Sequence, residues 1–324
     1  MKAAVYTQYG PAGKVLTVRE VERPQAAADQ VLVRVHAATV NRTDCATLLA
    51  IPFFMRLVTG LLRPKRTIPG TSFAGEIIAA GSAIHSFKTG DRVFGFDDNG
   101  VSGQAEYLAI AEDRIALIPD HIDYAAAAAG PEGFHYALNF INKVKLKRGD
   151  RVMVYGASGA IGSAAVQLLK HLGIEVTAVC STRHIAAVKS LGPDRVLDYT
   201  QKEFTNDTVN YHFIFDAVGK ISFFQCKRRL LPGGAYGSSD LGYLAQNIFL
   251  PMLAPLLKRT FEKKYTIFPM PVDIPHSLAL LRDLMAKNEF KPLIDREYPL
   301  DEIAAAYQYV AQGKKTGNVV VRVL

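Results

Sequence analysis

Residues 151–173 read RVMVYGASGAIGSAAVQLLKHLG. Val152-Met153-Val154-Tyr155 is an apolar burst short enough for a strand buried on both faces of a parallel sheet. Gly156-Ala157-Ser158-Gly159-Ala160-Ile161-Gly162 follows as a glycine-punctuated turn, and an alanine- and leucine-rich helical run stops at Gly173. Strand, tight turn and helix in that order aim unpaired backbone N–H groups, at a positive helix end, at a pyrophosphate. In the G-x-G-x-x-G frame the stretch reads Ala157, Gly159, Gly162 with an extra Gly156, a departure that also fits an ordinary strand-to-helix turn. A second apolar strand, Glu175 to Cys180, begins just after the helix and favours a βαβ dinucleotide-binding unit.

Further strand–helix units extend the pattern on the C-terminal side: Glu175 to Gly192, Arg195 to Tyr199, Tyr211 to Val218 with a helix over Lys220 to Leu230, and Gly234 to Asp240, with Tyr265 to Phe268 as a last strand. Strands alternating with helices predict a parallel, doubly wound sheet. Helix begins on the N-terminal side at Tyr124, through Ala125 to Ala129 and Gly133 to Val144. Before that, Lys2 to Tyr6, Val15 to Val21, Gln30 to Thr39, Gly70 to Ala80, Asp91 to Phe96 and Ala105 to Ile110 read as short strands with turns, a compact β-barrel-like domain. Ala46 to Arg66 interrupts it: apolar yet broken by proline and glycine, it reads as a lid over an apolar cleft or as a short helix packed on the barrel. Leu241 to Leu257 is a candidate cleft wall or dimer contact. The tail, Ile274 to Leu324, carries two amphipathic helices, about His276 to Asn288 and Leu300 to Gln312, and a closing strand, Asn318 to Val323.

The 324 residues suffice for about two domains. Neither a secretory signal nor an apolar run of bilayer length is visible, so a cytoplasmic chain is expected. Cys45, Cys180 and Cys226 are too scattered for a disulfide framework or a metal clip. The net charge of +8 is compatible with an acidic partner, but the basic residues are dispersed, and no basic and aromatic stripe of the kind that binds single strands is present. No nucleic-acid partner is expected.

The end of the second strand distinguishes NAD from NADP. An acidic residue there binds a ribose 2′-hydroxyl, whereas cations and hydroxyls accept a 2′-phosphate. Cys180-Ser181-Thr182-Arg183-His184 offers hydroxyls at Ser181 and Thr182, which also suit helix N-caps, and a guanidinium at Arg183. NADPH is the expected cofactor.

In their order, Met1-Lys2-Ala3-Ala4-Val5, Asn41-Arg42-Thr43-Asp44, Pro69-Gly70-Thr71-Ser72-Phe73-Ala74-Gly75, Gly90-Asp91-Arg92-Val93-Phe94-Gly95, the Gly156 to Gly162 turn, Asp198-Tyr199, Phe215-Asp216-Ala217-Val218-Gly219, Leu231-Pro232-Gly233-Gly234 and Gly317-Asn318-Val319-Val320-Val321 carry a resemblance. Over nearly its whole length the chain resembles the medium-chain dehydrogenase/reductase superfamily, in its zinc-independent quinone oxidoreductase-like branch. That resemblance implies an α/β fold: a doubly wound parallel Rossmann domain over 123–272 plus a GroES-like, mostly β catalytic domain from 1–122 and 273–324.

Zinc-dependent relatives carry Cys at the position of Asn41, Gly-His-Glu at Gly70-Thr71-Ser72, and a third ligand near Glu132. One carboxylate, an amide and two hydroxyls make a poor zinc site, and no metal is expected. Without a Lewis acid, reduction of a quinone or an α,β-unsaturated carbonyl with an apolar body is the expected reaction. An NADP-dependent alcohol or aldehyde dehydrogenase, and a nucleotide-dependent RNA-binding or crystallin-like protein, are the alternatives. Asn41, Thr71 and Ser72 are the expected oxyanion donors. Asp44 would order the Asn41 turn. Glu132 is either an acid/base group or a carboxylate satisfied by backbone N–H groups at a helix start, and His135 touches the cofactor or packs. The resemblance further implies that Gly156, Ser158, Gly159, Ala160, Ile161 and Gly162 face the pyrophosphate and Tyr199 the adenosine phosphate. Val218 and Gly219 would follow an adenine-side strand end, Gly237 and Ser238 would approach the nicotinamide, Asn318 would close the site, and the chain would form a homodimer.

Overall fold

The computed structural model describes residues 1–53, 56–242, 246–253 and 263–324. Two compact units form, Met1–Glu132 with Asp273–Leu324, and Gly133–Val272. The first begins with β1 (Lys2–Val5), β2 (Thr17–Glu20), β3 (Gln30–Val40), β4 (Ser72–Ala80), β5 (Arg92–Phe96), β6 (Tyr107–Ala111) and β7 (Ile115–Leu117). The second holds β8 (Arg151–Tyr155), β9 (Glu175–Cys180), β10 (Arg195–Asp198), β11 (Tyr211–Asp216), β12 (Leu230–Ser238) and β13 (Tyr265–Ile267). The chain then returns to the first unit for β14 (Ile294–Pro299) and β15 (Asn318–Arg322).

In the second unit the six strands run parallel in the order β10-β9-β8-β11-β12-β13. This is the doubly wound order, and it reverses between β8 and β11. The runs buried on both faces are the ones that the sequence marks as apolar: Val152, Met153, Val154, then Phe213, Ile214, Phe215, all without exposed surface. Phe140, from the helix Pro131–Asn142, stacks on Phe215 with centroids 4.8 Å apart. Tyr211, Ile214, Phe223, Leu230 and Tyr236 belong to one cluster, in which truncating a buried phenylalanine costs about 3–5 kcal/mol.

The first unit is a β-rich sheet in the order β14-β15-β3-β4-β5-β7, with β6 pairing β3 outside that order, beside a separate β1–β2 ladder. β3 is long because both its ends pair, with β6 and β4 at one end and β15 at the other. Val31, Val33, Val35, Phe73, Ile77 and Val93 make one core, and Tyr6, Leu48, Tyr307, Val319 and Val321 a second.

Several elements differ from the sequence reading. Ala46 to Arg66 begins inside a helix, Arg42–Leu49, whose Leu48 is buried in the second core; a short helix follows at Arg56–Thr59, with Tyr9 donating its hydroxyl to Gly60 O at 2.7 Å. Residues 54–55 of that segment lie outside the described residues, as do 243–245 and 254–257 of the hydrophobic stretch Leu241 to Leu257. What is described there is the helix Gln246–Leu253. The helix expected over Lys220 to Leu230 shortens to Phe223–Cys226 and a 3-10 turn at Lys227–Arg229. β7 and β14 are strands without a counterpart in the sequence reading.

Candidate functional site

Asn41 caps the N-terminus of the helix Arg42–Leu49, where β3 ends. Its backbone N–H donates to Asp44 Oδ2 at 2.8 Å, so the turn is ordered by that buried carboxylate. Burial, and then the neighbouring Glu132 charge, push the Asp44 carboxyl well above the usual range.

Three side-chain donors converge on Glu132, in the first turn of the helix Pro131–Asn142. Asn41 Nδ2 and Thr71 Oγ1 both donate to Oε2, at 2.7 and 2.9 Å. Thr43 Oγ1 donates to Oε1 at 2.7 Å. Glu132 is therefore held by side chains from distant parts of the sequence, a different partner set from the backbone N–H groups of the simpler expectation. Hydrogen bonds to a carboxylate contribute about 1.5–3 kcal/mol each, enough to hold a buried charge in one place.

This arrangement changes what the expected oxyanion donors can offer. Asn41 Nδ2 has two hydrogens; one goes to Glu132 and the other to Thr39 Oγ1 at 3.1 Å. The Thr71 hydroxyl hydrogen goes to Glu132. Asn41 and Thr71 are thus engaged as donors, contrary to the role the sequence suggested. Ser72 Oγ, at the start of β4, is buried with no hydrogen-bond partner among the described residues. Asn41 Oδ1 is likewise buried and unpartnered, and it is an acceptor. Asn318 repeats the pattern: its Nδ2 donates to Leu293 O at 3.0 Å while Oδ1 is left buried without a partner.

Sequence reasoning missed two members of this cluster. Thr43 lies inside the Asn41-to-Asp44 match, and its place in the first helical turn was the available signal. Lys315 feels the Glu132 charge from the far end of the chain; its burial lowers the ammonium to about 8, against a smaller upward pull from Glu132. Nothing local separates it from its neighbour Lys314, which is exposed.

In the second unit the expected cofactor residues gather past one edge of the sheet. Tyr155, Cys180, Asp198, Asp216 and Ser238 end their strands in register there. The glycine turn follows β8, Ser181 to Arg183 follow β9, Tyr199 follows β10, and Val218 and Gly219 follow β11. Gly156 has φ of 82° and packs so closely on Val218 that an added Cβ would meet Val218 Cγ1 at 2.6 Å. Gly162 has no room either, since its Cβ would fall 2.2 Å from Gly156 O. Ser158, Gly159, Ala160 and Ile161 remain partly accessible at the N-terminus of the helix Ala160–His171. A cradle of this shape fits a dinucleotide pyrophosphate.

Ser181 precedes the 3-10 turn Thr182–His184 without a side-chain cap bond. Thr182 Oγ1 donates to Asp198 Oδ2 at 2.6 Å, and Asp198 Oδ1 accepts from Thr200 N and Oγ1. A carboxylate is therefore present beside the β9 end, contributed by the neighbouring strand; the reading of a strand end free of carboxylates holds for its own segment only. Tyr199, half exposed, stacks on Tyr155 at 6.0 Å. His135 is buried, and its carbonyl accepts from Asn139 Nδ2 at 2.9 Å. Gly237 lies inside β12 against Phe140 and Ile267, and Ser238 Oγ accepts from Asp240 N at 3.3 Å.

Residues 27–120 match the alcohol dehydrogenase GroES-like domain, and residues 191–321 match the zinc-binding dehydrogenase family. The chain is 30% identical over 337 residues to the quinone-oxidoreductase homolog, chloroplastic, of Spinacia oleracea, covering 99% of this chain and 98% of that protein. The chain belongs to the zinc-independent, quinone oxidoreductase-like branch of the medium-chain dehydrogenase/reductase superfamily. It is 27% identical to the NADPH-dependent alkenal/one oxidoreductase, chloroplastic, of Arabidopsis thaliana, over 99% of this chain and 79% of the other. The quinone oxidoreductase structure from Coxiella burnetii superposes with a TM-score of 0.86 at 26% identity, covering 100% and 99% of the two chains.

Within that superfamily the donor set at Asn41, Ser72 and Glu132 does not fit a zinc ion. It contains a single carboxylate whose oxygens already serve three side-chain donors. Among the described residues no three His, Cys, Asp or Glu side chains cluster as a metal site. No helix among them is long and apolar enough to cross a membrane.

Proposed function

We propose that this protein is an NADPH-dependent reductase that transfers hydride to a quinone or an α,β-unsaturated carbonyl with an apolar body. The observation that carries the proposal is the polarity of the Asn41–Ser72–Glu132 cluster. It has one free hydroxyl donor and no set of ligands for a Lewis acid, which suits an acceptor already activated toward hydride. The names of the spinach and Arabidopsis relatives support the same substrate classes, and the second supports NADPH.

In this reading the Gly156-to-Gly162 turn holds the pyrophosphate and the region of Ser181 to Arg183 and Tyr199 holds the 2′-phosphate. NADPH, when bound, supplies the hydride. Ser72 Oγ–H donates to the substrate oxygen on which negative charge develops, a contribution of the kind that is worth about 3–4 kcal/mol in an oxyanion hole. Asp44 and Glu132 hold the Asn41 turn in place. The protein would act in the cytoplasm as a homodimer, which fractionation and light scattering of the purified protein would check.

The decisive assay supplies NADPH with 1,4-benzoquinone, an orthoquinone or an enone and follows NADPH absorbance, with Ser72→Ala alongside. Turnover that falls about a hundredfold in Ser72→Ala is expected. A pure protein that binds NADPH and reduces none of these acceptors overturns the proposal.

A further inference from the structure

We propose that Glu132 is a positioning residue that sets the hydrogen-bond polarity of the site, holding Asn41 with its carbonyl oxygen free so that Asn41 receives an O–H or N–H donor from the ligand. The proposal rests on the reductase reading above and gives Asn41 a role opposite to oxyanion donation.

Bond counting fixes the orientation of the amide. An amide side chain has two N–H donors and one carbonyl acceptor, and a carboxylate has acceptors only. Glu132 Oε2 lies 2.7 Å from the Asn41 amide, so the group facing it must be the nitrogen; the reverse orientation would set two acceptors against each other. The remaining hydrogen is taken by Thr39 Oγ1, which leaves Oδ1 buried and unpartnered. Asp44 fixes the backbone on which the amide stands, through the Asn41 N–H. Thr43 and Thr71 hold the carboxylate from its other sides, so Glu132 cannot rotate to release Asn41 without losing two hydroxyl donors.

A buried acceptor without a partner carries a desolvation cost that a ligand donor would relieve, and a ligand lacking that donor would be rejected. Two sources of such a donor belong to the reductase reading: an N–H or O–H of the cofactor, and the O–H of the reduced acceptor. They share one chemistry and separate experimentally.

The test is a reciprocal exchange. In Glu132→Gln the new amide must donate to a neighbour, and the Asn41 amide turns its Oδ1 toward it, presenting N–H where the carbonyl was. In the double variant, Glu132→Gln with Asn41→Asp, the carboxylate introduced at position 41 accepts from the amide introduced at position 132 and from Thr39, and again presents an acceptor to the ligand. Net charge is unchanged from wild type, and the side chains keep their sizes. We expect kcat/KM to fall about thirtyfold in Glu132→Gln and to recover about tenfold in the double variant, a coupling of the size seen between residues in contact. If the cofactor provides the donor, the fluorescence-titrated Kd for NADPH moves and recovers with the exchange. If the substrate provides it, the acceptor KM moves and recovers while that Kd stays.

A readout independent of turnover is the side-chain amide resonance of Asn41 in the ¹⁵N-asparagine-labelled protein. In wild type both of its hydrogens should be slow to exchange with water, and in Glu132→Gln one should become fast. A double variant no better than Glu132→Gln, or fast-exchanging Asn41 amide hydrogens in wild type, overturns the proposal. Wild type that reduces no quinone or enone yet shows the slow amide would fail the reductase reading alone and leave this arrangement of Asn41 standing.

Discussion

Thr182 donates its hydroxyl to Asp198 across 2.6 Å, tying the end of β9 to the end of β10. Bonds from Thr182 and Thr200 hold the Asp198 carboxyl below the usual range, so it is charged at neutral pH. That charge stands beside the segment Ser181 to Arg183, assigned above to a 2′-phosphate, and like charges at this spacing repel.

Asp198→Asn should therefore sharpen the preference for NADPH over NADH. Asparagine retains an oxygen to accept from Thr200 N, so the turn is preserved while the charge is removed. The ratio of kcat/KM for the two cofactors should rise by about threefold to tenfold, less at high salt, since the site is open to solvent. A ratio that does not change would place the 2′-phosphate elsewhere.

Lys315 gives a pH signature of stability. Its folded ammonium titrates at about 8, well below the ordinary lysine value, chiefly because burial disfavours the charge. Between about pH 8 and the ordinary value the unfolded chain binds a proton at this position that the folded chain does not. Stability from this group therefore rises with pH across that window, and the penalty is fully present below about 8. Lys315→Met should raise the urea midpoint at pH 7 and lose that advantage as pH approaches about 10. An advantage that persists unchanged at about pH 10 would mean that the lysine is not the titrating group.

How far the sequence announces these features depends on where their cause lies. β8, β9 and β11 are legible because two-sided burial demands uninterrupted apolar runs such as Val152 to Val154 and Phe213 to Phe215. β14 is not, since Ile294–Pro299 contains Asp295, Arg296 and Glu297 in succession. It becomes a strand by pairing with β15, helped by Arg322 with Glu297 at 3.4 Å and by Asp295 accepting from Thr316 N and the Tyr309 hydroxyl. The same distinction applies to the site. Asn41, Thr71, Ser72 and Glu132 follow from local motifs and resemblance, but which of them has a hydrogen to give is decided by contacts between segments far apart in the chain. Asp198 illustrates this again, because a strand end read on its own cannot include the carboxylate that the next strand brings.

Asp216 is the keystone of the turn after β11. Its buried carboxylate accepts from the backbone N–H groups of Val218, Gly219 and Ile221 at 3.1, 2.9 and 3.2 Å, and from the Tyr236 hydroxyl at 3.3 Å. Burial pushes the carboxyl up, against the pull of those N–H groups. Asp216→Ala leaves these donors without their acceptor and should cost about 2–4 kcal/mol in urea unfolding. A cost below about 0.5 kcal/mol would show that water satisfies the turn equally well.

The glycine turn can be divided into its two duties by two alanine substitutions. At Gly162 an added Cβ would lie 2.2 Å from Gly156 O and 2.8 Å from Gly156 C, both backbone atoms, so the turn itself must open. At Gly159 the nearest atom to an added Cβ is Gly156 O at 3.5 Å, an ordinary contact, and the backbone there is extended with φ of −79°. Gly159→Ala should consequently fold as wild type does, with an unchanged thermal midpoint, and any loss of affinity must come from the methyl group occupying space that a pyrophosphate needs. A rise of about tenfold or more in the Kd for NADPH is expected for Gly159→Ala, with the same loss accompanied by a lower midpoint for Gly162→Ala. Wild-type affinity in Gly159→Ala would remove this turn from the cofactor site, whatever Gly162→Ala does.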